Sequence, residues 1–301
     1  MISRRRFLQG LATSTTAFLS LGGYAVGWEP RHRLEVTRYD LRLPRWPADA
    51  PPLTVALIAD LHAVDPWMPV SRIAEIVRVT NELKPDLILL LGDYVGTMRF
   101  ANRVLEPREW AAPLAALRAP LGAYAILGNH DWWWLGNPEP VRRALEHVGI
   151  PVLVNRALRL RKGPHDLWVS GTDSMIAEVG AGGFLSRADL DKALSGIDGG
   201  APVIHMAHEP DLFVGIPDRV ALTVSGHTHG GQVRMPVVGP LVVPSSYGRR
   251  FAYGHVREGG RHLLVSGGLG CSTLPIRFLA PPEVVLARLS SDITPQTPVV
   301  G

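Results

Sequence analysis

The chain has 301 residues, of which 46% are hydrophobic and 19% charged; this excludes a disordered polar chain and leaves material for one large core or two smaller ones. Three of its 31 basic residues (Arg4, Arg5 and Arg6) fall in residues 1–27, where no acid stands, so the remainder carries 28 against 27 and no clustered positive surface for nucleic acid or membrane is indicated. Cys271 is the single cysteine, which excludes an intrachain disulfide and a thiolate cluster, so any metal must be held by nitrogen and oxygen.

The stretch FLQGLATSTTAFLSLGGYAV is interrupted by Thr, Ser and Gly and is too polar for a membrane span. Before it, Ser3-Arg4-Arg5-Arg6-Phe7-Leu8 resembles the twin-arginine signal S-R-R-x-F-L. That resemblance implies a signal segment over 1–27, the twin-arginine translocase as a partner, and export to the periplasm or cell envelope, with membrane anchoring if the segment stays uncleaved. Ala25-Val26-Gly27 is a weak small-x-small cleavage site.

A lead-in over 28–52 contains one alternating run, LEVTRYDLRL, which reads as an edge strand. LTVALIAD (53–60) is a buried strand. The next segment places Ile73, Ile76, Val77 and Leu83 near helical spacing and stops at Pro85. DLILLLGD (86–93) reads as a second strand, 107–118 as a helix and AYAILGNHD (123–131) as a third strand. This βαβαβ series implies a mainly parallel sheet. The second half predicts short strands at 152–154, 157–161, 167–171, 202–207, 220–225, 262–266 and 283–289, with a helix at 186–195. These form a second, mixed sheet packed on the first. The main domain spans 53–290, and the polar, Pro-containing tail 291–301 is expected to fray.

The strands end in ligand-type residues: Asp60 and His62, then Asp93, then Asn129 and His130, then His208, then His227 and His229. All stand on the carboxyl edge, where open α/β sheets bind ligands. In SGHTHGGQ (225–232) the two histidines are spaced i and i+2, which points both to one side of an extended backbone, and the flanking glycines allow close approach of the main chain.

D-L-H at 60–62, G-D at 92–93, G-N-H-D at 128–131, H-E-P at 208–210 and G-H-T-H at 226–229 resemble, in order, the five blocks of the calcineurin-like metallophosphoesterase superfamily. GHTHGGQVRMP and GLGCSTLPIRF are similar to a bacterial branch often called YkuE-like, whose relatives include a UDP-diacylglucosamine pyrophosphatase. The resemblance implies a four-layer αββα sandwich, with two mixed sheets flanked by helices. It implies that Asp60, His62 and His229 hold one metal, that Asn129, His208 and His227 hold a second, and that Asp93 bridges both. Mixed imidazole and oxygen ligands suit two divalent transition ions, Mn, Fe or Zn. In the family the bridging hydroxide attacks phosphorus, while the histidine at His130 protonates the leaving oxygen or stabilises the transition state.

Phosphoprotein phosphatases orient that histidine with an aspartate where this chain has Gly96, in GDYVGT, and the sequence names no substitute. His205, inside the apolar run PVIHMAH, reads as a core residue or a support for a neighbouring ligand, and not as a ligand itself. Of Trp132, Trp133 and Trp134, at least one should face the cleft or solvent, with Trp132 the candidate for the cleft. Arg277, ahead of Arg249 and Arg250, is the candidate phosphate clamp.

The expected activity is hydrolysis of a phosphodiester or pyrophosphate bond in a small phosphate ester or a cell-envelope lipid precursor. The alternatives are a membrane-associated lipid-precursor hydrolase like UDP-diacylglucosamine pyrophosphatase, a phosphomonoesterase, and a noncatalytic metal-binding exported protein. Retention of His130, which ligates no metal in the family, argues against the last.

Overall fold

The computed structural model of the chain describes residues 15–16 and 19–292, so the arginine motif at Ser3–Leu8 and the tail beyond 292 lie outside the described residues. The main strands are β1 (Glu35–Leu43), β2 (Leu53–Ile58), β3 (Leu87–Leu90), β4 (Ala123–Ala125), β5 (Arg156–Lys162), β6 (His165–Gly171), β7 (Val203–Met206), β8 (Leu222–Ser225), β9 (Gly254–Glu258), β10 (Arg261–Val265) and β11 (Glu283–Ser291). The helices that bear on the site or the core are α1 (Val70–Glu82), α2 (Pro107–Ala111), α3 (Asn129–Trp133), α4 (Glu139–His147) and α5 (Leu190–Leu194).

One sheet has the order β1-β11-β2-β3-β4, and the other β9-β10-β8-β7-β6-β5. Both are mixed: β2, β3 and β4 run parallel, as do β6, β7, β8 and β10, while β11 lies antiparallel to β2 and β5 to β6. The predicted edge strand forms and is an integral member of the first sheet, pairing Glu35–Leu43 with Glu283–Ser291.

The apolar runs of β2 and β3 are continuous because both faces are covered. Val55, Leu57, Leu87 and Leu89 meet Val169, Ile204, Met206 and Val224 between the sheets. Ala56, Ile58, Ile88 and Leu90 face Ile73, Ile76, Trp110 and Leu145 of the helices. On the far side of the second sheet, Val203, Leu263 and Val265 pack under Leu194, Phe213 and Phe251. The result is four layers, helix, sheet, sheet and helix. In α1 the buried residues Ile73, Ile76, Val77 and Thr80 recur at i, i+3, i+4 and i+7, each apolar one contributing about 1.5–3 kcal/mol on burial.

Several boundaries differ from the sequence reading for local reasons. The third strand stops at Ala125, and residues 129–133 turn into α3 instead, where the Asp131 carboxylate accepts the backbone N–H of Gly128 at 2.9 Å. The helix at 107–118 is α2 continued by a tighter 3₁₀ turn over Ala112–Ala116, because Pro113 supplies no N–H. The helix at 186–195 shortens to α5, capped by Asp189, whose carboxylate accepts from Lys192 N at 2.9 Å. Residues 152–154 contribute only a bridge between Val152 and Ala125.

The Ala25-Val26-Gly27 stretch lies in a helical segment packed on the body. Ala25 is buried and its carbonyl accepts from Arg277 N at 2.9 Å, and the Val26 carbonyl accepts from Trp67 Nε1 at 3.0 Å. Among the described residues no helix is long and apolar enough to cross a membrane.

Candidate metal centre

Each ligand-type residue follows the carboxyl end of a parallel strand, from β2, β3 and β4 in the first sheet and from β7 and β8 in the second, so the two edges converge on one place. Loop-to-loop backbone bonds fix the edges, with Asp60 N donating to Gly92 O at 3.1 Å, His62 N to Asp93 O at 3.0 Å and Gly226 N to His208 O at 3.1 Å.

Two clusters result, joined by a third group. In one, Asp60, His62 and His229 offer ligand atoms that lie within 4.8 Å of one another, and in the other Asp93, His208 and His227 do the same; His62, Asp93 and His130 meet the same limit across the two. His62 Nε2 and His229 Nε2 face each other at 3.0 Å. Asn129 Oδ1 joins the second cluster, 3.2 Å from His208 Nε2 and 2.9 Å from His227 Nδ1. Asp93 Oδ2 lies between the clusters, 3.6 Å from His62 Nε2 and 3.1 Å from His208 Nε2, which is the placement of a bridging carboxylate. All seven residues named by the sequence are therefore brought together.

The donors fit a pair of cations. Asp60 Oδ2 and Asp93 Oδ2 are buried without a hydrogen-bond partner, while the other oxygen of each is engaged, by His227 N at 2.9 Å and His130 N at 2.8 Å. A buried carboxylate oxygen left bare is costly unless a cation meets it. Burial lowers the pKa of His62, to about 3, and those of His227 and His229, so these imidazoles present free lone pairs. Burial alone would also lower His208, but the adjacent Asp93 raises it well above its ordinary value. Asp93 would in turn be raised by burial, but His208, His130 and His62 hold it well below the usual carboxylate range. Second contacts orient the rings: His62 Nδ1 meets Val95 O at 3.2 Å and His208 Nδ1 meets Leu91 O at 2.7 Å, as metal-binding histidines require.

The backbone is bent to do this. Asp60, His62, Asp93, His227 and His229 all have positive φ, between 44° and 70°. Such conformations cost roughly 1–3 kcal/mol each and gather at functional sites. SGHTHGGQ is therefore not extended: the left-handed turns at His227 and His229 send the two imidazoles to different clusters instead of to one point. Gly226 is required for a separate reason, since a Cβ there would stand 2.6 Å from Asp60 Oδ2.

His130 sits at the mouth of the site, 8% exposed, its ring 4.7 Å from that of His62. Its orienting partner is Thr97, one place past Gly96, whose hydroxyl lies 2.7 Å from Nδ1; the Ser272 hydroxyl lies 3.3 Å from Nε2. Asp131 serves another purpose, accepting the backbone N–H groups of Asp93 at 3.0 Å and Tyr94 at 2.9 Å and so clamping the loop that carries Asp93. Burial lowers the pKa of His130 against the opposing pull of Asp93, which makes its imidazolium a stronger acid but a scarcer one.

Two substrate expectations need correction. Arg277 is fully buried, and its guanidinium donates to the carbonyls of Gly270, Ala280 and Gly267 while lying 3.2 Å from His229 Nδ1. Its donors are consumed beneath the site, so it supports His229 and does not clamp phosphate. Trp132 points away, its indole N–H bonded to Asp173 at 2.8 Å, and it is Trp133 that lines the cleft. His205 is a core residue as read, buried and bonded to Ser170 Oγ at 3.2 Å.

A layered sandwich with paired His/Asp clusters on its converging strand ends defines a metal-dependent phosphoesterase. Residues 53–231 match the family model described as calcineurin-like phosphoesterase, and the chain belongs to that family. It is similar to the uncharacterized metallophosphoesterase YkuE of Bacillus subtilis (strain 168), 32% identical across 96% of this chain and 98% of that one. It is also similar to the phosphodiesterase YaeI of Escherichia coli (strain K12), 34% identical across 96% of this chain and 100% of that one.

Proposed function

We propose that the chain is an exported phosphodiesterase that uses two divalent transition ions, Mn, Fe or Zn. The observation that carries the two-ion reading is the position of Asp93 Oδ2, set between two imidazole-bearing clusters, together with the unpartnered, buried Oδ2 of Asp60. Asp60, His62 and His229 would hold one ion, Asn129, His208 and His227 the other, and Asp93 both. Such a pair supplies Lewis-acid polarisation of the phosphoryl oxygens and an activated water at neutral pH.

The residues of the chain do the rest. Asp93 Oδ1 holds the backbone of His130, Thr97 holds its ring, and Nε2 is left beside the Ser272 hydroxyl at the cavity. As the oxygen of water adds to phosphorus and the ester P–O bond breaks, His130 gives its proton to the departing oxygen. A diester is favoured over a monoester or a pyrophosphate by charge. Among the described residues lining the cavity there is no Lys or Arg, so apart from the ions and the His130 imidazolium no cationic side chain would meet a second phosphate charge. The name of YaeI supports the same choice, and the Ser3–Leu8 motif supports export.

The test is to strip the purified protein of metal, restore Mn, Fe or Zn singly, and assay bis(p-nitrophenyl) phosphate, p-nitrophenyl phosphate and a UDP-sugar. The diester should be turned over fastest. Preference for the monoester or the UDP-sugar would overturn the assignment.

A further inference from the structure

The cleft above the clusters is large, about 1010 Å³, and its floor and walls differ in kind. Asp93, Asn129, His130, His227 and His229 form the floor. One wall is Trp133, Met175, Ile176 and Phe184, and a second is Leu241, Val242, Val243 and Pro244. The first wall begins at the proposed acid itself: the ring of His130 lies 5.0 Å from that of Trp133, which stacks on Phe184 at 5.6 Å. Trp133 Nε1 is spent on the Ile176 carbonyl at 3.0 Å, so only its apolar face is on offer.

Of the polar side chains lining the cavity, Glu209, Asp211, Gln232 and Thr228 are engaged within the protein. Glu209 accepts from Ser174 Oγ and from Met175 N at 2.9 Å, and Asp211 accepts from Ser245 Oγ and from Ser246 N at 2.7 Å. Gln232 bonds both ways with the backbone of Ser272, and Thr228 donates to Ala252 O. The segment that delivers the ligand His208 thus pins both walls, through Glu209 on one side and Asp211 on the other. A sugar or nucleobase lying along Trp133, Phe184 and the Leu241–Pro244 segment would meet mostly apolar side chains, at a cost for each polar group buried unmet. At the mouth Phe184, Leu241 and Val242 are 56%, 53% and 74% exposed, apolar surface that nothing among the described residues covers.

We propose that the substrate is a phosphodiester bearing a long hydrocarbon chain, which lies between the Trp133–Phe184 wall and the Leu241–Pro244 wall while its phosphoryl group meets the floor. This rests on the phosphodiesterase reading and narrows it. Continuity of the walls with the floor fixes the occupant, because whatever fills the groove must be joined to the phosphorus.

The test uses p-nitrophenyl alkyl phosphates with methyl, butyl and octyl chains, held below their micelle concentrations, so that the leaving group is constant and only the retained chain varies. Each methylene fully withdrawn from water is worth roughly a fourfold gain in kcat/KM, so butyl to octyl should gain on the order of tenfold or more even with partial burial. Phe184→Asp combined with Val242→Asp should bring the octyl-to-methyl ratio near one. Independently of turnover, a bromine-tipped octylphosphonate, whose C–P bond is not hydrolysed, should quench tryptophan fluorescence in the wild type and lose most of that quenching in Trp133→Phe. Turnover that is flat with chain length, or quenching unaltered in Trp133→Phe, overturns the proposal while leaving the diesterase reading intact. Hydrolysis of none of the esters would remove the diesterase reading and this one with it.

Discussion

Thr97→Val removes the hydroxyl that lies 2.7 Å from His130 Nδ1 and leaves a side chain of similar shape. The magnitude follows from where Thr97 stands. It is exposed, so water can reach Nδ1 in the variant, and the loss is the net value of one hydrogen bond, about 0.5–1.5 kcal/mol, instead of the larger penalty for a buried orphan. If orientation of His130 limits proton delivery, that energy corresponds to roughly a twofold to twelvefold loss in turnover. The loss should appear with alkyl leaving groups, which need the proton, and nearly vanish with nitrophenolate, which does not. His130→Ala, by comparison, should cost roughly 10²–10⁴-fold on the poor leaving group. The assay is kcat on matched alkyl and nitrophenyl diesters, with metal content measured on the same samples. Equal slowing of both substrates, or loss of metal from the Thr97 variant, would refute the orientation role.

Other outcomes follow from the same geometry. Gly226→Ala should lower metal occupancy in a folded protein, because the added Cβ would stand 2.6 Å from Asp60 Oδ2; circular dichroism and elemental analysis on one sample check this. Arg277→Met should weaken retention of the ion at Asp60, His62 and His229 more than that of its neighbour, since the guanidinium lies against His229 and ties the loop 267–270 beneath it; stepwise metal release on chelator titration reports it. His205→Asn should keep both ions, in contrast to His208→Asn. Stability should also fall with acid. Burial holds His205 at about 3, below its usual 6.5, so the unfolded chain binds the proton first, and the stabilisation present above pH 6.5 is lost as pH drops towards 3. At pH 5 the cost from this one residue is about 2 kcal/mol. The urea midpoint of wild type should drop between pH 7 and pH 5 by more than that of His205→Asn; parallel drops would refute it.

Much of the site was legible because ligand-type residues follow directly on buried parallel strands: Asp60, Asp93 and Asn129 end apolar runs, and His208 and His227 follow strands interrupted only by His205, Thr223 and Ser225. Apolar runs and their terminators, with the H-E-P and G-H-T-H blocks for the last two strands, therefore located the ligands without knowledge of how the sheets meet. What sequence could not supply was the direction of side chains in loops. Thr97 lies one place from where an aspartate was sought, and only the turn through Gly96 brings its hydroxyl to His130. Trp132 and Trp133 are equivalent in sequence, and the single turn of α3 sends one to Asp173 and the other into the cleft. Arg277 had the composition of a phosphate clamp, but the loop at 267–270 offers it carbonyls closer than any substrate. The extended reading of SGHTHGGQ failed because i and i+2 share a side only when φ is negative throughout, and His227 and His229 both adopt positive φ.

The central claim is that one carboxylate, Asp93, joins two ions on which turnover depends. The most direct measurement is to add Mn in steps to metal-stripped wild type and Asp93→Asn, recording bound metal per chain and diester turnover together. Wild-type activity should rise until two ions are bound and then level off, and the variant should retain neither ion at the same free metal. Saturation of activity at one ion per chain, or an Asp93→Asn protein that still binds two, would contradict the account.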